Sequence, residues 1–352
     1  MSSDFLLYGS TGFVGEAIAR LAVQRGLRPI LAGRNAAKVE AQAAELGVDC
    51  CVFSLEDTAA IDKALTKVVV VLHCAGPYIH TYKPMMEGCL RTGSHYLDLT
   101  GEIPVLEGLA ARDAEARSRK VMLLPAVGFD VAPTDCLALH LKQRLPSATH
   151  LALATQTQGP AKLPPGTANT TVETMIPYGF KIRRSGRLEA FPRELKIRQI
   201  DFGEGPVEVT LFPWANVFTA FYSTGILNIE DYAAVSANQR QQIAAVSLLR
   251  PFFRFTAVRR FFRSKIKTGS TPDERLRTRM NVWGEVEDDQ GRKAVSRLHG
   301  PEGSVIWTSL TALAILKRVL SGEVLPGFQT PALAYGPDLV LECEGVSRED
   351  VI

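Results

Sequence analysis

The sequence predicts an α/β protein: a doubly wound parallel sheet with a second, α+β domain inserted into it, built on a mixed or antiparallel sheet. Three observations carry this. Residues 4–34 read as strand, glycine-rich turn, helix and strand; apolar strands and helices then alternate through the first third; past about residue 147 the pattern changes. A chain of 352 residues also exceeds the usual span of one hydrophobic core.

Asp4–Tyr8 (DFLLY) is the first strand. Gly9, Gly12 and Gly15 space the turn GSTGFVG, and Val14, Ile18, Leu21, Ala22 and Arg25 recur at helical spacing behind it. Glycine in such a turn permits tight curvature, close approach to a pyrophosphate and packing of helix on strand. The helix N-terminus adds N–H groups without intrahelical partners and a positive dipole end, both suited to phosphate. Gly9, Ser10, Thr11, Gly12, Phe13 and Val14 are therefore expected to bind a dinucleotide in a Rossmann-type domain; the competing use of the glycines is packing alone.

The second strand, Arg28–Ala32, ends in Gly33 and Arg34, with Asn35 and Lys38 behind and no acid before Glu40. An NAD site places a carboxylate here for the ribose 2′-hydroxyl, whereas a guanidinium grips a 2′-phosphate in a fork. Gly33, Arg34 and Lys38 thus point to NADPH, against the alternative of a merely solvated arginine.

Cys50–Leu55 is the third strand. Val68–Cys74 (VVVVLHC) is a continuous apolar run, as expected of a strand buried on both faces. His95–Leu99 and Val121–Pro125 follow, with helices over 59–66, 83–92 and 103–118. Ligands in such sheets bind beyond the carboxyl ends of the strands. Cys74–Tyr82, with Ala75, Gly76 and Pro77 set against the cofactor, should converge there with Asp98–Glu102 and Ala126–Asp135.

Beyond residue 147, LALATQTQ, RLEAFPRELKIRQIDF and VEVTLFPW read as strands. Arg279–Glu287 and Arg292–Leu298 flank Asp288-Asp289-Gln290-Gly291 as a hairpin. Ser304–Leu320 is a helix expected to pack back on the first domain. The expected division is 1–146 for the NADP-binding domain, 147–303 for the substrate domain and 304–352 for the return.

Composition narrows the class. The six cysteines form no CxxC pair and no Cys/His cluster at zinc spacing, so reduced thiols, a cytoplasmic setting and no metal are expected. Cys50 and Cys51 would point to opposite faces of their strand and are read as core. A net charge of +3 does not imply nucleic acid. The chain enters its first strand within a few residues of Met1, which leaves no room for a signal peptide, and no apolar run reaches the roughly 18–20 residues of a spanning helix.

Reduction of a double bond or carbonyl needs hydride from a nicotinamide and a proton from a positioned acid. No tyrosine here has Lys four positions on, which excludes the short-chain reductase pair. Tyr78, Tyr82 and Lys83 lie just past the fourth strand, where a tyrosine can donate a proton or bond the ribose. Asp98 and Glu102 bracket LDLTGE; together they can shift each other for acid/base work, or each can anchor backbone N–H groups. Asp130 and Asp135 face the same choice. Thr167, Asn169, Thr170 and Thr171 can receive an anionic or carbonyl group of the substrate, or cap a helix.

GSTGFVG, AGR, CAGPY (Cys74–Tyr78), HYLDLTGE (His95–Glu102), GFD (Gly128–Asp130) and GFQTPALAYG (Gly327–Gly336) together resemble the saccharopine dehydrogenase-like proteins over nearly the whole chain. With FTAFYSTGILNIE (Phe218–Glu230), the resemblance is to the trans-acting enoyl reductase branch of that group. It implies an NADP-binding Rossmann domain, an inserted substrate domain and reduction by a nicotinamide; the catalytic candidates, taken from their positions past the strand ends, are Tyr78, Tyr82 and Glu102. Two departures stand out: Ala215-Asn216 where the family commonly carries Gly-Asp, and PPGTANTTVE (Pro164–Glu173) where it carries more glycines. The implied substrate is the enoyl group of a lipid-like or polyketide-like acyl chain, free or carrier-bound. Imine or carbonyl reduction is the alternative within enzymes, and a non-catalytic NADP-binding, membrane-associated protein is the alternative outside them; on any of these readings a homodimer is allowed.

Leu248–Lys267 (LLRPFFRFTAVRRFFRSKIK) holds seven basic residues and five phenylalanines, with no acid between Asp231 and Asp273. This suits an interfacial helix on anionic lipid, a lid over an acyl chain, or an amphipathic helix packed on the second domain.

Overall fold

The seven-stranded sheet takes its shape from β1 (Phe5–Tyr8) and β4 (Val70–His73), whose residues are all buried and which lie side by side at its centre. The structure is a computed structural model that describes residues 5–159, 165–190, 196–212, 214–236, 238–241, 250–265 and 277–352. With β2 (Pro29–Gly33), β3 (Cys50–Val52), β5 (His95–Asp98) and β6 (Met122–Leu124), the strand order is Gly327–Phe328, β6, β5, β4, β1, β2, β3, every pairing parallel. The order reverses between β1 and β4, so their carboxyl ends open the crevice in which folds of this type bind ligands. Tyr8 and His73 are partners across that switch point.

The connecting helices are α1 (Phe13–Gln24), α2 (Ala36–Leu46), α3 (Thr58–Leu65), α4 (Tyr82–Thr92), α5 (Ile103–Ala110) and α6 (Asp113–Ser118). α1 forms because Gly15, Ile18, Ala19 and Ala22 make one buried stripe. The helix expected over 103–118 divides at Ala111-Arg112, where the Arg112 amide bonds back to Leu109 O at 3.0 Å and tightens the turn. β3 ends at Val52 and lies at the sheet's edge, which leaves Cys50 exposed and Cys51 half-buried; the expected core role of this pair does not hold.

The chain divides into two compact units, Met1–Phe129 with Val305–Ala334, and Asp130–Ser304 with Tyr335–Ile352. In the first, the helix Ser304–Leu320 forms as expected; its Thr308 Oγ1 accepts the Phe129 amide at 3.4 Å, and its Trp307 ring lies 4.8 Å from that of Phe129.

The second unit carries β7 (His150–Gln158), β8 (Lys181–Arg184), β9 (Arg187–Ala190), β10 (Ile197–Asp201), β11 (Pro206–Leu211), β12 (Asn228–Ala233), β13 (Arg279–Glu287) and β14 (Lys293–Glu302). Their order is β10, β11, β12, β7, β13, β14, Ser347–Asp350, with β8 and β9 as a hairpin beside β12. The β7–β12 pair is parallel and the rest antiparallel, giving the mixed sheet that the sequence implied. The β13–β14 hairpin closes where Asp288 Oδ1 accepts the amides of Gln290 and Arg292, each at 3.0 Å.

These units are cut differently from the expected 1–146, 147–303 and 304–352. α7 (Ala132–Arg144) belongs to the second unit because it packs on β13: a Cβ on Gly284 would stand 2.5 Å from a Leu141 methyl and 3.2 Å from one of Leu137. The C-terminal stretch divides because Ser347–Asp350 adds a strand to β14.

Two further helices matter below, α8 (Asn216–Thr224) and α9 (Thr256–Lys265), both in the second unit. Among the described residues, no helix is long and apolar enough to cross a membrane. Residues 191–195 of the expected strand region, and 248–249 and 266–267 of the basic segment, lie outside the described residues, as do Asp4 and Pro164.

Candidate functional site

The glycine turn is built so that backbone, not side chain, lines its open side. Gly9 takes φ +83°, and a Cβ there would lie 2.9 Å from the Ala75 amide nitrogen, so the loop after β4 rests directly on the turn. A Cβ on Gly15 would come within 2.2 Å of Gly9 O, which requires glycine for α1 to start where it does. Gly12 is exposed and begins α1 without a side-chain cap. A helix N-terminus of this kind, with its positive dipole end, is suited to phosphate. Ser10 is wholly buried, its carbonyl accepts the Gln42 side-chain amide at 3.0 Å, and its Oγ has no hydrogen-bond partner. Thr11, Phe13 and Val14 are half-buried around the same turn. A helix N-terminus without a side-chain cap, an orphaned hydroxyl and an exposed glycine at its start fit a dinucleotide pyrophosphate.

At the end of β2, Gly33 is buried and Arg34 exposed. Asn35 caps α2 by accepting the Lys38 amide at 3.1 Å, which places Lys38 in the first helical turn, four residues past Arg34. Burial raises the Tyr8 phenol above its ordinary value, and the Arg34 charge opposes that rise. Tyr8 donates to Phe53 O at 3.3 Å, and the two rings are 4.9 Å apart.

The loops after β4, β5 and β6 are tied together by two buried carboxylates. Glu102, at the start of α5, accepts the Tyr78 amide at 2.7 Å on one oxygen and the Ile79 amide at 2.9 Å on the other. Asp98, at the end of β5, accepts the amides of Thr100 (2.9 Å) and Ala126 (3.0 Å) on Oδ1 and the Tyr96 hydroxyl (2.7 Å) on Oδ2. Burial pushes Asp98 up to about 6 against those hydrogen bonds. Glu102 thus joins the loop after β5 to the one after β4, Asp98 joins it to Ala126 after β6, and both acids anchor backbone.

The structure separates the two tyrosines. Tyr78 is buried in a short 3-10 turn; burial, with the nearby Cys74, Asp98 and Glu102, holds its phenol well above the usual value. Tyr82 opens α4 and lies against α5, where a Cβ on Gly108 would meet its hydroxyl. Ala75 and Pro77 are half-buried and Gly76 is exposed, with Ala75 O accepting the Thr81 hydroxyl at 2.6 Å.

His73 went unremarked in the sequence, although a histidine inside VVVVLH is itself the signal. It is wholly buried, and its ring lies 5.5 Å from those of Tyr8 and Tyr78 and 6.2 Å from that of Tyr96. Because the Thr81 hydroxyl donates to Ala75 O, His73 Nε2–H donates to Thr81 Oγ1 at 3.1 Å, and Nδ1 is left with no partner. Burial depresses its pKa to about 3, so the ring is neutral.

In the second unit, Asp130 is pushed up to about 6 by burial, and Asp135 accepts the Ser223 hydroxyl at 2.6 Å. Asn169, Thr170 and Thr171 lie within the helical run Pro165–Tyr178 rather than ahead of it, and the Thr167 side chain lies outside the described residues. Asn216 donates its amide to the buried Asp231 at 2.7 Å and contacts the Thr134 hydroxyl through Oδ1, also at 2.7 Å. A carboxylate therefore stays in contact with this position, supplied by β12. Burial pushes Asp231 up to about 7.

Residues 5–124 match the saccharopine dehydrogenase NADP binding domain family. A trans-acting enoyl reductase of Mycobacterium leprae is 32% identical over 152 residues, 40% of this chain and 36% of that protein. A saccharopine dehydrogenase-like oxidoreductase of Homo sapiens is 24% identical over 160 residues, 40% of this chain and 37% of that one. The similarity thus spans little more than a third of these relatives' length. The solved apo saccharopine dehydrogenase (L-Glu forming) of Saccharomyces cerevisiae superposes with a TM-score of 0.68 at 13% identity, over 99% of this chain and 100% of that one, a likeness of fold. The residues that form the glycine turn, the Arg34 strand end and the tied loops lie inside or directly beside the matched span, and over residues 5–124 the chain is similar to the saccharopine dehydrogenase NADP binding domain.

Proposed function

We propose that the protein is an NADPH-dependent reductase acting on the enoyl group of a lipid-like or polyketide-like acyl substrate. The observation that carries the cofactor half is the exposed Arg34 at the end of β2, with Lys38 four residues on and no carboxylate in the position that would repel a 2′-phosphate. When bound, the cofactor supplies hydride to the β-carbon of the conjugated acyl group, and a proton at the α-carbon completes a saturated product and NADP+. The chain's own part is to hold that geometry. Gly12 and the first amides of α1 seat the pyrophosphate. Ala75, Gly76 and Pro77 line the reactive end, and Glu102 fixes them by gripping the next two amides. Tyr78, held by that grip, is the proposed proton donor; Tyr82, turned to α5, and Glu102, with both oxygens engaged, serve as positioning groups. The enoyl assignment draws on the similarity to the trans-acting enoyl reductases. Consumption of NADPH is to be measured against paired α,β-unsaturated acyl thioesters, cyclic imines and ketones. The proposal expects oxidation with the thioesters and a saturated product by mass; oxidation only with imines or ketones overturns the enoyl reading.

A further inference from the structure

The basic, phenylalanine-rich segment is split by the fold into a buried face and an exposed one. Phe253 is fully buried against Val172 and Ile176, with Val258 and Phe262 packed on the same cluster. Glu173 holds the segment down through Arg259 at 3.0 Å and Arg263 at 3.1 Å. This much is an ordinary docked helix. Yet Phe252, Phe255 and Phe261 stay 55%, 49% and 58% exposed, far more than docking requires, and Arg260 is exposed beside them. Residues 250–265 contain six basic side chains and no acid, and Glu173 is paired to two of them.

We infer that the exposed part of residues 250–265 seats on an anionic lipid surface, with Phe252, Phe255 and Phe261 entering the interface and Arg260 and Arg263 meeting the headgroups. Three large apolar rings exposed within ten residues of one-sign charge are costly in water and suited to the boundary of an anionic bilayer. An acidic protein would satisfy the arginines but supplies no apolar layer of matching depth for three separate rings. The buried face is already occupied, so the segment need not leave the second unit to bind. The inference does not depend on the reductase reading.

Full-length protein is to be sedimented with vesicles of phosphatidylserine and phosphatidylcholine, and with phosphatidylcholine alone. Binding to the anionic vesicles is expected, falling as salt is raised because screening shortens the reach of the charges. Arg260→Glu should weaken it by at least about fivefold. Phe252→Ser, Phe255→Ser and Phe261→Ser combined should abolish it while the thermal midpoint and NADPH affinity stay unchanged. Should that triple variant unfold, Phe255→Ser alone is to be measured, with a severalfold loss of vesicle binding expected. Absence of wild-type binding to anionic vesicles at low salt, equal binding to neutral ones, or binding unchanged in a folded serine variant overturns the inference. Capture by an acidic acyl carrier protein without vesicle binding overturns it in favour of a protein partner.

Discussion

Glu102 Oε1 accepts the backbone amide of Tyr78 at 2.7 Å across 24 residues of sequence, and its other oxygen takes the next amide, that of Ile79. A carboxylate used in this way positions the loop after β4. Glu102→Gln keeps one acceptor and turns an NH2 group toward the other amide. The loss should be about 1–3 kcal/mol of stability, seen as a lower thermal midpoint together with weaker NADPH binding. Unchanged stability with turnover abolished would instead make Glu102 an acid in the reaction.

Gly15→Ala places a methyl 2.2 Å from the position of Gly9 O, a contact that only backbone movement can relieve. The turn then opens, with a stability cost of about 1–3 kcal/mol and a loss of cofactor binding measurable by titration. Gly12→Val should differ in degree: its Cβ would stand 3.2 Å from Gly9 O, a shortfall that a shift of a few tenths of an ångström relieves, and its side chain would occupy the pyrophosphate's place. Retained NADPH binding in Gly12→Val contradicts the placement of the cofactor.

The buried Asp231 makes stability depend on pH. Its folded value, about 7, lies above the ordinary carboxylate value, so between roughly pH 4 and 7 the folded state binds more protons than the unfolded one. Stability from this group is complete below that window and declines as pH rises through it, by at most about 4 kcal/mol. Asp231→Asn should flatten that decline in urea midpoints taken from pH 5 to 8. An identical slope in the variant contradicts the assignment.

Tyr78→Phe should lower turnover while leaving NADPH affinity intact, since the ring still packs against His73. Tyr82→Phe should leave turnover little changed. Because burial holds the Tyr78 phenol well above its usual value, the proton stays on through ordinary pH, and turnover should show no fall near neutrality from this group. Full turnover in Tyr78→Phe removes it from the chemistry.

Much of this was legible in the order of residues. The glycine turn, the parallel strands and the β13–β14 hairpin announce themselves because each is local: a turn residue, a run of apolar side chains, a charged loop between alternating strands. The unit boundary was not legible, because what assigns α7 to the second unit is the contact of Leu141 with a glycine more than a hundred residues away. The role of Asp231 was hidden for the same reason. The family's Gly-Asp position reads here as a lost acid, and only strand pairing brings the carboxylate of β12 back to Asn216. The split of the phenylalanines into buried and exposed sets depended likewise on Val172 and Ile176, far off in sequence.

The central claim is that Arg34 selects NADPH. The measurement that tests it most directly is the dissociation constant of NADPH and of NADH for the wild type and Arg34→Ala. The account predicts that the wild type prefers NADPH, and that Arg34→Ala loses about 1.5–3 kcal/mol, roughly ten- to a hundred-fold, for NADPH while NADH binding barely moves. Equal affinity of the wild type for the two cofactors, or an equal loss of both in the variant, would contradict it.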